Sequence, residues 1–190
     1  MFMMNIKIIS WNVQGFGDWR FLPATKQVLR DYKPDIVVFV KPRISGRRAD
    51  SVIASLGFPH SHRVEAAEFS GGIWLAWYDS VSVDIISNHF QFIHCRITEK
   101  ASRNSVYVTA VYASPSSSRC KLIWPHLRRI TGSMHSPWVL FRDFNATICV
   151  EDRKGCMQPP YKAFQRLIFY CGLRDMGFQG PQFTWSRGLA

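Results

Sequence analysis

At 190 residues, with 47% hydrophobic and 19% charged residues, the chain is long enough to bury a core and too apolar to be a disordered polymer. Its 24 Lys and Arg against 13 Asp and Glu give a formal charge of +11, which favours polyanionic partners such as nucleic acid or acidic membrane surfaces. Five scattered cysteines without a C-x-x-C pair exclude a disulfide framework, and no run approaches the ~18 apolar residues that span a membrane.

The first element is the β-rich run Ile6–Trp11, closed by Asn12 and the Gly15/Gly17 pair. Pro23–Tyr32 has the spacing of a short amphipathic helix, which Pro34 stops. Ile36–Val40 is five consecutive apolar residues, mostly β-branched, the pattern of a strand buried on both faces. Ala49–Leu56 predicts a helix capped at Gly57. Strands follow at Ile73–Tyr78, Val81–Ser87, Phe90–Thr98 and Ser105–Tyr112. Lys121–Ile130 predicts a helix despite Pro125, Trp138–Phe141 a short strand, Tyr161–Tyr170 a helix and Phe183–Trp185 a last strand. Early β-α-β alternation followed by consecutive strands points to a mixed sheet system with outer helices, in one domain over residues 1–190. The apolar start is too brief for a secretory signal, so an intracellular, soluble monomer is expected.

Several polar residues close apolar strands. Asn12 follows I-K-I-I-S-W, Tyr112 ends V-Y-V-T-A-V-Y, and Asp143 with Asn145 follows W-V-L-F. Strand ends are where a rigid scaffold presents reactive groups, and together these side chains have the chemistry to hold a phosphate, a metal and a water. Singly, each also fits a turn residue or a half-buried strand aromatic. His60 and His62 lie two apart with no cysteine nearby, which is not zinc-ligand spacing.

Trp11-Asn12 with Gly15, P-D-I-V-V-F-V, S-G-G-I-W-L-A-W, V-Y-A-S-P, R-D-F-N and F-T-W-S-R-G occur in one order from Ile6 to Gly188. Together they resemble the endonuclease/exonuclease/phosphatase superfamily, in particular the apurinic-type endonuclease domain of plant LINE-like, non-LTR retrotransposons. The resemblance implies an α/β four-layer sandwich, two mixed β-sheets flanked by helices. It also implies Mg²⁺-dependent hydrolysis of a DNA phosphodiester, in the nucleus if functional. By position, Asn12 matches the asparagine beside metal and phosphate, and Tyr112 the tyrosine that hydrogen-bonds phosphoryl oxygens. Asp143 matches the aspartate that orients the attacking water, and Asn145 its partner. Asn12 and Asp143 are thus the residues expected nearest the metal, and Thr184 and Trp185 match a pair that builds the cleft floor.

Three departures set this chain apart. The family's metal-binding glutamate, in an E-T-K-x-S-G context, is replaced here by Lys41 in K-P-R-I-S-G. Mg²⁺ is often held by only one or two carboxylates. At ~4 Å and an effective dielectric of ~20, a dication and a lysine repel by roughly 8 kcal/mol before relaxation and solvent reduce it. Asp35 is no substitute, being ~20 Å away at the other end of the strand, and Glu65 and Glu68 lie in a loop of undetermined path. Arg142 stands where the family has glycine, adding a phosphate contact or crowding the cleft. The family's later S-D-H-type segment does not occur in the chain, so a truncated fold, incomplete at its C-terminal end, with doubtful metal binding and negligible catalysis is expected. Two alternatives remain: a non-catalytic nucleic-acid binder using Lys41, Arg43, Arg47, Arg48, Arg128, Arg129 and Arg142, whose charges also fit a merely solvated face, and a phosphatase-type member of the superfamily.

Overall fold

The computed structural model describes residues 4–17, 20–66, 71–114, 116–132, 134, 136–143, 162–177 and 179–180, except for the side chains of Ser117, Arg142 and Asp143. The chain divides into two compact units. The first comprises residues 1–114 and 134–143, and the second residues 115–133 and 144–190.

The first unit holds two four-stranded sheets. One is built around β2 (Ile36–Val40), whose five residues are all buried. It runs parallel to β1 (Ile8–Asn12), with Asn12 opposite Val40, and antiparallel to β4 (Ile73–Trp77). Two neighbours leave no polar edge, which is why this strand tolerates an unbroken apolar run. Between β1 and β2 passes α1 (Phe21–Tyr32), and α2 (Gly46–Leu56) follows β2. Gly57, at φ +80°, closes α2 in the left-handed conformation expected of its position.

The edge strand β3 (His60–Val64) was not foreseen from the sequence. It pairs with β4 alone, and H-S-H-R-V lacks the alternation of a half-buried strand because its side chains are exposed or half-buried. His60 Nε2 contacts Asp79 at 2.8 Å and His62 Nε2 contacts Asn88 at 3.1 Å. Pairing along the backbone overrides side-chain propensity here.

The second sheet runs β5 (Val81–His89), β6 (Phe92–Glu99), β7 (Ser105–Tyr112) and β8 (Trp138–Asp143). The first three are antiparallel neighbours, and β8 is parallel to β7. Alternation along the strands separates two cores. Ile36, Val38, Val40, Ile73, Leu75, Ile93, Cys95, Ile97, Val108, Ala110 and Tyr112 fill the space between the sheets. Val37, Phe39, Trp74 and Ala76 face the other way and meet Leu29, Ala49 and Ile53 of the helices. Phe16 locks the outer core, stacked on Trp74 at 5.1 Å and edge-on to Phe39 at 5.3 Å. The expected α/β sandwich of two mixed sheets flanked by helices is what the molecule adopts.

The second unit contains α3 (Ser117–Cys120), α4 (Ile123–Gly132) and α5 (Lys162–Tyr170). Pro125 is the third residue of α4, in the first turn, where its missing N–H has no intrahelical partner to lose. Trp124 of α4 packs on Phe164 of α5, with ring centroids 6.2 Å apart. The strand predicted at Phe183–Trp185 lies outside the described residues.

Cys95 and Cys120 are buried, and burial pushes their thiols up to about 12 and about 11, so both are inert at neutral pH.

Candidate active site

Each sheet contains one parallel pair, β1/β2 and β7/β8, and the candidate residues lie where these pairs end. Asn12 is the last residue of β1 and is exposed. Lys41 follows β2 directly. Tyr112 ends β7, 5% exposed, and its backbone is in register with Asp143 at the end of β8. The two sheets meet at this end. Lys41 Nζ sits 5.0 Å from the centroid of the Tyr112 ring, the geometry of a cation–π contact worth about 0.5–2 kcal/mol. Residues 71 positions apart in the chain are thereby brought together.

The loops at this end are sewn together by backbone. The Val13 N–H donates to Val40 O (2.9 Å) and the Phe16 N–H to Pro42 O (2.9 Å), which ties the W-N-V-Q-G-F loop to the segment after β2. From the other side the Lys41 N–H donates to Gly72 O (3.1 Å) and the Arg43 N–H to Gly71 O (2.9 Å). This approach needs glycine. A Cβ on Gly71 would lie 2.8 Å from Lys41 Cα, and Gly72 takes φ +79°. Gly71 and Gly72 are therefore what let the backbone entering β4 approach Lys41 so closely.

Backbone strain gathers at the same place. Gln14, Lys41 and Arg43 hold left-handed φ values of 55°, 59° and 56°. Each costs of order 1 kcal/mol for a residue with a side chain, and such conformations persist only where the surroundings over-determine them. Arg43 Nη2 also donates to Gln14 Oε1 (3.3 Å), joining two of the strained residues.

Gln91 was not singled out from the sequence. It is 1% exposed, its carbonyl accepts from the Tyr112 N–H (2.8 Å), and its side-chain Oε1 accepts from the Ser114 N–H (2.7 Å). It is a positioning residue that fixes where β7 ends. A buried polar residue between Phe90 and Phe92, in the turn that joins β5 to β6, is the signal that marks it.

The acidic residues are accounted for differently. Asp35 sits at the far end of β2, and Glu65 is paired to Arg63 at 2.7 Å, with Asp50 on the same guanidinium. The hydrogen bond that Arg63 donates to Asp50, opposed by some burial, is the main cause of a raised Arg63 pKa, so this cation stays charged and holds both carboxylates. Among the described residues, no group of three His, Cys, Asp or Glu gathers as a metal site. Of the described side chains at these strand ends, Lys41 and Arg43 are cations, which offer Mg²⁺ no oxygen and repel it. Asn145, Thr184, Trp185 and Glu68 lie outside the described residues, as do the side chains of Asp143 and Arg142.

No protein-family model and no curated protein matches the chain. Solved structures do. The AP endonuclease LMAP from Leishmania major superposes with a TM-score of 0.65 at 13% identity, over 87% of this chain and 66% of that one. The endonuclease domain of TRAS1, a telomere-specific non-LTR retrotransposon, gives a TM-score of 0.64 at 13% identity, over 92% and 76%. The human Nocturnin catalytic domain gives 0.53 at 15% identity, over 74% and 65%, so this chain spans less than two thirds of that domain. With identities of 13–15%, the likeness fixes architecture: this chain has the endonuclease/exonuclease/phosphatase fold.

Proposed function

We propose that the chain is a non-catalytic relative of the Mg²⁺-dependent DNA phosphodiesterases of this fold, of the retrotransposon endonuclease type, which binds nucleic-acid phosphate in the Asn12–Tyr112 cleft without cleaving it. The observation that carries this reading is Lys41 Nζ at 5.0 Å from the Tyr112 ring. An ammonium fixed at the cleft mouth supplies the positive charge that a phosphate needs. It opposes the divalent ion that would polarise the phosphoryl group and lower the pKa of an attacking water.

Three further features support it. Arg43 adds a second cation at the same mouth, tied to Gln14. The surplus of basic residues steers polyanions. The likeness to the endonuclease domain of TRAS1 favours the retrotransposon type, although fold by itself does not set the substrate.

A supercoiled plasmid incubated with the purified chain and Mg²⁺ should stay supercoiled, while the same chain retains DNA in a salt-sensitive complex. Mg²⁺-dependent nicking that disappears in Asp143→Ala would overturn the reading, and so would an affinity for DNA that does not change with salt.

A further inference from the structure

The second unit carries a basic surface of its own. On α5, Lys162, Gln165, Arg166, Phe169 and Tyr170 recur at spacings of three and four residues and so share one face, while Phe164 and Leu167 are buried. With Arg128 of α4 these side chains line an open groove of about 560 Å³. Three of the six are cations and none is acidic. Phe169 is 89% exposed and Tyr170 62%, so the groove presents two aromatic rings that no core claims. The Arg128 guanidinium lies 4.7 Å from the centroid of the Tyr170 ring, holding that ring as a platform.

We propose that this groove binds an unpaired nucleic-acid strand. Its three cations match phosphates, and its two exposed rings match the faces of unstacked bases, which stack on aromatic side chains without regard to sequence. A duplex keeps those faces inside and would use only the cations. Lys162 to Tyr170 spans roughly 12 Å of helix, and at ~3.4 Å per stacked base that is three or four nucleotides. The groove stands independently of Lys41, so its failure leaves the cleft reading intact.

The test is fluorescence anisotropy of a labelled 12-nucleotide oligothymidylate with the whole chain, at several salt concentrations. Phe169→Ala and Tyr170→Ala should each weaken binding about tenfold and leave its salt dependence unchanged. Lys162→Ala and Arg166→Ala should each flatten the slope of log affinity against log salt by ~0.7. All four side chains are exposed, and thermal melts of the variants report whether the fold survives. Lys41→Ala, a change in the cleft, should leave the tenfold aromatic effect in place. The proposal is overturned if the aromatic variants bind like the parent, or if a duplex of the same length binds as tightly as the single strand. It is also overturned if the four variants abolish binding to anionic vesicles or polyglutamate while oligothymidylate binding is untouched.

Discussion

The two ends of β2 are built in opposite ways. At the Ile36 end, the Asp35 carboxylate accepts from the Lys7 N–H (2.8 Å) and from the Ser80 hydroxyl (2.6 Å). The Asp35 N–H donates to Lys7 O (2.8 Å), and its carbonyl accepts from the Tyr78 N–H (3.0 Å). None of these residues takes a positive φ. At the Val40 end, three side-chain-bearing residues sit in the left-handed region, and a glycine is pressed against Lys41. One end satisfies its polar groups and contributes stability. The other holds strain that is tolerated because two loops are bonded to it, and it carries the cleft. An acid exists on this strand, but at the end where it serves the fold.

If β2 is the shared beam between these ends, a cut in its middle should have the largest effect. Phe39→Ala, at a fully buried position, should cost about 3–5 kcal/mol in urea unfolding; a loss under 1 kcal/mol would break the comparison at its root. Gly71→Ala forces a Cβ onto the Lys41 backbone and should cost about 1–3 kcal/mol. It should also weaken DNA binding by moving Lys41, so a stability loss with unchanged affinity would separate strain from site. Asp35→Ala should cost about 1–2 kcal/mol and leave DNA affinity alone, the reverse signature. The smallest effect belongs to the other sheet, at neither end of β2. There His94 is buried, with Nδ1 at 2.9 Å from Thr109 Oγ1, and burial lowers its pKa below 6.5. The unfolded chain then takes up the proton first, so this contribution is complete above pH 6.5 and is lost as pH falls towards the lowered folded value. Replacing it by His94→Phe should flatten the acid side of a stability–pH curve relative to the parent, and an unchanged curve would contradict that.

Much of the architecture is visible in residue pattern alone. Ile36–Val40 announces a doubly covered strand, and α1, α2 and α5 begin and end within a few residues of their periodicity. The pattern failed at β3, where an edge strand carries polar side chains, and at α3, a single turn too short for periodicity to register. At the candidate site, the places of Asn12 and Tyr112 at the ends of β1 and β7 were legible because polar groups ending apolar runs stand out. The approach of Lys41 to Tyr112 was not, since it depends on how two sheets stack and not on any local spacing. The side chains of Gln14 and Gln91 accept hydrogen bonds across 29 and 23 positions, which leave no periodic trace.

The central claim is that an ammonium at the end of β2 keeps a divalent ion out of the cleft, and a calorimetric titration of Mg²⁺ into the parent chain and into Lys41→Glu tests it most directly. The account predicts no saturable binding to the parent and measurable binding to Lys41→Glu. Saturable Mg²⁺ binding to the parent that Asp143→Asn abolishes would contradict it.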